Sequence, residues 1–372
     1  MQNTFSNALS EAVSKHIDLS ASRQETLTWL AWLVMRHGTI CLWRLAAHVT
    51  CAATTDSVRR RFYRFFQYVK LDGAMAAQVV VYLLGLAGKP WVLAMDRTNW
   101  DFGKTTINIL MISVMWNGMG VPLIWVLLPK AGNSNTRTRV CLLNRLKNTF
   151  PDLKIASLMG DREFIGDQWM AYLKRNKIPF ILRLRENQHV VRDGFETWTI
   201  ADIAKRLERG QKRIVKGWCR LGQNAGDKSP AVRLVILRLK TGELLALACS
   251  GNPRRALENY RRRWTIETMF ANLKTKGFNM EDTHITDRDK LSTLCVVLAL
   301  AVALAVKTGA AMARLKPIPV KKHGRKAWSL FALGLSSLRK IFASPITDQI
   351  IAFFHQLLSP KLPVNPLKSM TL

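Results

Sequence analysis

Acidic side chains are scarce in this sequence: 25 Asp and Glu stand against 56 Lys and Arg, a formal net charge of +31 over 372 residues. The cations run along the whole chain, which excludes a single disordered basic tail as their source and points to a polyanionic partner, nucleic acid or a membrane surface. Clustered cysteine is lacking too. Cys41, Cys51, Cys141, Cys219, Cys249 and Cys295 are scattered, with no Cys-x-x-Cys and no histidine at ligand spacing. Neither a zinc site nor a disulfide framework is therefore indicated, and ordinary buried thiols in a reducing cytosol are expected. The N-terminus shows no basic region followed by an apolar run and a small-residue cleavage site, so no secretory signal is expected. Leu291 to Val306 could pass for a membrane span, but its 16 uncharged residues lie between Lys290 and Lys307. That is short of the ~20 residues a spanning helix needs, and a buried core helix is expected instead. No internal repeat is apparent. What the chain does have is apolar content, 48%, enough for a substantial core, and a length that suggests two or three domains.

Residues 1–85 read as helices. Leu27, Trp29, Leu30, Trp32 and Leu33 form a stripe that ends at His37-Gly38, and Ile40 to Val49 begins another helix. Thr54-Thr55-Asp56 supplies N-cap chemistry for a stretch in which Arg59, Arg60, Arg61 and Arg64 interleave with Phe62, Tyr63, Phe65 and Phe66. Two readings stay open there: a helix-turn-helix whose second helix enters a major groove, or a helical bundle with a basic outer face. From Pro90 the period changes. Trp91 to Asp96, Ile107 to Trp116, Pro122 to Leu128 and Ile155 to Asp161 read as strands, with Asn117-Gly118 as a hairpin turn and Thr138 to Phe150 as a helix. A helix at Asp167 to Asn176 and a strand at Ile178 to Arg185 complete a mixed sheet. Residues 188–250 then carry β-branched runs and turns at Gly222, Gly226 and Gly242, a strand-rich insertion. An apolar helix at 287–314, a basic linker at 316–326 and amphipathic helices at Ala327 to Ala343 and Thr347 to Leu358 end the chain.

Tyr260 to Lys274 contains no Gly or Pro, and its spacing predicts one helix, with Ile266, Met269, Phe270 and Leu273 buried and Tyr260, Arg263, Glu267 and Lys274 on one face. A solvated charged face is one reading of that pattern. The other is a carboxylate that ligates metal beside groups that hold phosphate, which needs two more acids. Asp96 and Asp161, at the expected ends of strands, supply them. Three carboxylates so placed can hold two divalent ions about 4 Å apart for in-line phosphoryl transfer, and Mg²⁺ suits carboxylate oxygen. Asp101, Glu163 and Asp167 compete; Glu163 and Asp167 read as solvent or helix-start acids.

The segments Ala94-Met95-Asp96-Arg97-Thr98-Asn99-Trp100, Gly160-Asp161-Arg162-Glu163-Phe164 and the set Tyr260, Arg263, Glu267, Lys274 resemble the motifs of DDE transposases of bacterial insertion sequences. The Tyr-Arg-Glu-Lys spacing, continued by Lys276-Gly277-Phe278, is similar to that of the insertion-sequence-four group. The resemblance covers about residues 90–340. It implies an α/β fold: a ribonuclease-H-like catalytic core with a β-rich insertion, plus N-terminal and C-terminal helical regions. The expected division is a helical DNA-binding region at 1–85, the first part of the core at 86–187, the insertion at 188–250, the second part of the core at 251–314 and a helical tail at 315–372.

The activity so implied is a transposase that binds insertion-sequence ends, cleaves DNA strands with Mg²⁺ and transfers the 3′-hydroxyls to target DNA. Asp96, Asp161 and Glu267 would be both catalytic residues and ligands of two Mg²⁺ ions, with Mn²⁺ as a substitute. Tyr260, Arg263 and Lys274 would contact DNA, as would Arg59, Arg60, Arg61 and Arg64. The implied partners are transposon-end and target DNA and a second copy in a synaptic homodimer, in the cytoplasm and away from membrane. The alternative is a catalytically inactive DNA-binding regulator derived from a transposase. A basic membrane-surface protein would leave the acid pattern unexplained. In related enzymes that pass through a DNA hairpin, a Trp on the strand before this helix stacks on a flipped base. Here Leu244 or Leu245 stands at that place, so either another aromatic of the insertion stacks, Trp218 being better placed than Trp198 because it lies on a basic strand (Lys212, Arg213, Lys216, Arg220), or the hairpin route is absent; packing within the β layer is the other reading of Trp218.

Overall fold

The computed structural model describes residues 1–192, 197–222, 229–322 and 324–363. The chain begins with α1 (Gln2–Ser14), α2 (Ala21–His37), α3 (Leu42–Ala46), α4 (Thr55–Tyr68) and α5 (Gly73–Leu84). It continues through β1 (Trp91–Phe102), β2 (Thr105–Trp116), β3 (Met119–Leu127), α6 (Thr136–Thr149), β4 (Ile155–Gly160), a 3-10 turn at Arg162–Phe164, α7 (Asp167–Arg175) and β5 (Phe180–Arg183). The insertion holds β6 (His189–Arg192), β7 (Thr197–Thr199), α8 (Ile200–Ala204), β8 (Lys212–Ile214), β9 (Cys219–Leu221), β10 (Arg233–Arg238) and β11 (Leu244–Cys249). Then come α9 (Pro253–Arg261), α10 (Trp264–Leu273), a 3-10 turn at Met280–Asp282, α11 (Arg288–Leu315), α12 (Leu330–Ala343) and α13 (Asp348–Leu357). Gly226 lies outside the described residues.

The chain divides into two compact units. One comprises Met1–Ala87, Thr98–Ala131 and Ile266–Leu372; the other comprises Gly88–Arg97 and Gly132–Thr265. In the second unit the strand order is β1-β4-β5-β11-β10-β8, with β1, β4 and β5 parallel and the insertion strands antiparallel, while β7-β6-β9 form a separate small sheet. In the first unit β3 and β2 continue from the C-terminal half of β1. The hairpin between β2 and β3 turns on Asn117 (φ 47°) and Gly118 (φ 79°), two consecutive left-handed residues, as the twist of a two-residue hairpin requires. The order 3-2-1-4-5, a meander followed by parallel strands, is the ribonuclease-H-like arrangement within an α/β fold, and the insertion is β-rich.

In the first unit the core is built around α11. Every residue from Thr293 to Met312 is buried, so the helix is apolar all round, as a central helix must be. Among the described residues it is the one helix long and apolar enough to cross a membrane, and its whole apolar window is covered by protein. Lys307 falls within the buried run. Its ammonium donates to the Ser359 carbonyl, and desolvation lowers its pKa to about 7. The crossing with α12 is close because of two glycines. A Cβ at Gly309 would overlap the Leu330 carbonyl, and one at Gly334 would overlap the Ala305 carbonyl. In the N-terminal bundle, α4 is capped by the Thr54 side chain and buries Val58, Phe62, Phe65 and Phe66. Residues 47–54 separate it from the five-residue α3, longer than the three- or four-residue turn of a helix-turn-helix, so the bundle with a basic outer face is the arrangement found.

In the second unit cations are tied to backbone oxygen. Arg238 donates to the carbonyls of Leu207 (2.7 Å), Ala204 (3.1 Å) and Gly242 (3.2 Å), which closes the end of α8 onto β10. The strand expected at Ile178 to Arg185 is confined to Phe180–Arg183.

The α11–α12 crossing gives a direct test. Gly309→Ala and Gly334→Ala should each destabilise the protein by at least about 1–3 kcal/mol, the usual cost of overpacking. Gly251→Ala, at a glycine with open space around it, should change stability by less than about 0.5 kcal/mol. Denaturant melts of the three variants decide it.

Candidate active site

Two acids are brought together by strand register. β1 and β4 pair in parallel with Ala94 beside Met159 and Met95 beside Gly160, so the next residue on each strand is Asp96 and Asp161. Adjacent strands lie about 4.8 Å apart, so the two carboxylates start from neighbouring backbone positions. Asp96 is not at the end of its strand, as the sequence suggested, because β1 runs on to Phe102; it stands where β4 stops. Its Oδ1 accepts the Arg97 amide at 2.8 Å, and its Oδ2 accepts Arg263 Nη1 at 2.9 Å. Asp161 follows Gly160, where a Cβ would come within 2.9 Å of Phe164 Cβ, so the chain passes there only without a side chain. Asp161 Oδ1 is buried with no hydrogen-bond partner.

The segment Tyr260 to Lys274 is not one helix. Its backbone bonds tighten to i→i+3 at Arg262, Arg263 and Thr265, which separates α9 from α10. The spacing argument assumed an unbroken α-helical period, and three successive arginines with different fates interrupt it: Arg261 and Arg262 are exposed, while Arg263 is 3% exposed and directed at Asp96. Tyr260 is buried, with its hydroxyl 3.5 Å from the Gly160 carbonyl and its ring 5.4 Å from the Arg263 guanidinium. Burial pushes the Tyr260 phenol well above its ordinary pKa, so it remains a protonated donor.

Glu267 lies on α10, in the first unit, and is half-buried; Ile266, Met269, Phe270 and Leu273 of the same helix are buried as expected. Lys274, just beyond α10, donates to the Asn99 carbonyl at 3.0 Å, pairs with Glu281 at 2.7 Å and lies over the Trp100 ring. On α4, Arg60 and Arg64 are exposed with Tyr63 and Tyr68. Arg59 pairs with Asp56 and covers Trp43, and Arg61 is turned to α2, where it meets Glu25, Thr26 and the face of Trp29.

Trp218 is not on a strand but in the turn before β9. Gly217 (φ 80°) ends the strand geometry just upstream. The ring is 41% exposed, with Arg233 at 4.9 Å and Lys174 at 5.4 Å, and it borders an open hollow with Arg233, Ser250, Asn252 and Arg254.

Sequence reasoning passed over Arg97 and Glu163. Glu163, read as a solvent or helix-start acid, is only 14% exposed and pairs with Arg97 at 3.0 Å. A signal was available: both strand acids are followed by arginine, Asp96-Arg97 and Asp161-Arg162. Among the described residues no group of three or more His, Cys, Asp or Glu forms a ready-made metal cage. Mg²⁺ does not need one, since it is commonly held by one or two carboxylates with water and substrate phosphate. Neighbouring carboxylates, one with a buried oxygen still lacking a partner, fit that donor set.

The family model described as the transposase DDE domain matches residues 87–304, more than half of the chain. No curated protein matches it. A solved structure, the cryo-EM structure of a piggyBac transposase synaptic complex with hairpin DNA, is similar at 12% identity and a TM-score of 0.41, covering 100% of this chain and 85% of that one. The family match contains both aspartates and Glu267, and the chain belongs to the transposase DDE domain family.

Proposed function

We propose that the protein is a transposase of the insertion-sequence-four type that binds element ends, cleaves DNA with divalent metal and transfers the 3′-hydroxyls to a target. The observation that carries this reading is the register of β1 and β4, which sets Asp96 beside Asp161, together with the partnerless buried oxygen of Asp161. Asp96, Asp161 and Glu267 are the proposed ligands of two Mg²⁺ ions, for which Mn²⁺ can substitute. Ions held there supply Lewis acidity to the phosphoryl group and lower the pKa of the attacking water or 3′-hydroxyl. The chain's own part is to hold and orient. Arg263 keeps Asp96 aimed inward and is the proposed phosphate contact once a DNA strand shares its charge, with Tyr260 behind it and Lys274 as a further DNA contact.

The outer face of α4 is the proposed end-binding surface. Arg60 and Arg64 meet phosphate most directly and Arg59 flanks them, whereas Arg61 acts by holding α4 on α2. DNA ends, target DNA and a second copy in a synaptic dimer are the proposed partners, in the cytoplasm. The proposed organisation is a DNA-binding region at 1–85, a core at 86–187 and 251–314, the insertion at 188–250 and the tail at 315–372. Trp218 is proposed as the stacking residue for a base turned out of the duplex, since its ring is exposed and its cationic neighbours would hold the flanking phosphates. A catalytically inactive regulator is less well supported, because all three acids are retained.

Asp96→Asn, Asp161→Asn and Glu267→Gln should each abolish Mg²⁺-dependent nicking while end binding persists; near-normal nicking by any one of them removes it from the site. Duplex binding should weaken steeply with salt, and Arg60→Gln/Arg64→Gln should lower the slope of log K against log salt by up to about 1.8, two phosphates' worth. An unchanged slope would move the contact surface away from α4. Trp218→Ala should permit the first nick but lose hairpin formation and second-strand cleavage, and a wild-type hairpin yield would dismiss the stacking role.

A further inference from the structure

We infer that Glu163 is a positioning residue that fixes Asp96 and Asp161 relative to each other, an inference that rests on the metal-dependent reading above. Its carboxylate joins three segments of one unit. Oε2 accepts Arg97 Nε at 3.0 Å, and Arg97 is the residue whose backbone amide holds Asp96 Oδ1. Oε1 accepts both the amide and the hydroxyl of Ser134, at 3.1 and 2.8 Å, in the loop before α6. The Glu163 backbone belongs to the 3-10 turn that starts at Asp161, closed by the Phe164 amide on the Asp161 carbonyl at 2.9 Å.

Behind this clamp stands Arg139 of α6, 4% exposed. Its Nε donates to Ser134 Oγ at 2.9 Å, one Nη2 hydrogen reaches the Glu163 carbonyl at 2.9 Å, and the guanidinium lies 5.0 Å from the Phe164 ring centre. The geometry has a physical purpose. Two carboxylates on adjacent strands repel, and a flexible strand end would relieve the repulsion by turning one of them away. Glu163 denies that freedom at both ends. It grips the residue after Asp96 through its side chain and carries Asp161 on its own backbone turn, and both grips are referred to the rigid α6. Arg97 extends the frame by reaching Asn133 with its other nitrogen. Glu163 is thus to the two aspartates what the outer hydrogen-bonding shell is to the ligands of a metal centre.

The test is Mn²⁺ binding to the full-length, DNA-free protein, followed by calorimetry and by the electron paramagnetic resonance of free Mn²⁺, with a thermal melt of each variant. Glu163→Gln keeps an acceptor for Ser134 and loses the ion pair; the expected result is a folded protein with Mn²⁺ affinity lowered about 10–100-fold, the usual effect of removing such a partner. Ser134→Ala should act in the same direction but less, and it carries the test if Glu163→Gln does not fold. A merely structural role would lower the melting temperature and leave the Mn²⁺ affinity of the folded protein unmoved. Wild-type Mn²⁺ affinity in the folded variant overturns the inference. Asp96→Asn and Asp161→Asn separate the two levels: if they lose Mn²⁺ while Glu163→Gln does not, the positioning role alone falls, and if they bind Mn²⁺ like the wild type, the metal-dependent reading falls with it.

Discussion

The parallel pairing of β1 with β4 is the constraint from which the rest of this site follows. Parallel neighbours cannot be joined by a tight turn, so a long connection must separate β1 from β4 in the chain. The chain between them runs through β2, β3 and α6. The pairing also sets two negative charges side by side, and such a placement holds only if nearby groups compensate it. The compensation is local. One Asp96 oxygen receives a backbone amide and the other a buried guanidinium.

The break between α9 and α10 belongs to the same account. An unbroken helix would have spread Tyr260, Arg263, Glu267 and Lys274 along one face, with each cation turned outward alike. Tightening the backbone at Arg262 and Arg263 separates the fates of consecutive arginines, so that one is buried on Asp96 while its neighbours stay in water. Buried guanidinium is tolerated because it is paired; removing either partner of such a pair typically costs more than the pair contributes.

Much of the fold was legible from hydrophobic period. The strand leading to Asp161, the Asn117-Gly118 hairpin and the long apolar helix each follow from local pattern and are where that pattern puts them, whereas β1 runs six residues past Asp96, to Phe102. Less visible was whatever depends on partners distant in sequence. The short strands β6, β7 and β9 carry three or four residues each and gain their identity from pairing alone. Trp218 reads in sequence as part of a basic strand, yet Gly217 turns the chain just before it. Arg61 and Arg64 are indistinguishable as letters three positions apart, but one faces α2 and the other water. Glu163 reads locally as a solvent or helix-start acid, and nothing in the nearby sequence announces that Ser134 and Arg97 converge on it.

A chain with more than two bases for each acid cannot give every enclosed cation a carboxylate. Arg238, half-buried, shows the solution by gathering three backbone carbonyls, and the half-buried Arg36 repeats it with the Phe342 carbonyl. A peptide carbonyl has no proton to gain as the medium turns acid and no net charge for electrolyte to shield. Electrolyte strong enough to screen the basic surface therefore leaves these half-buried staples fastened, so the field outside the protein and the closure of its fold answer to separate forces.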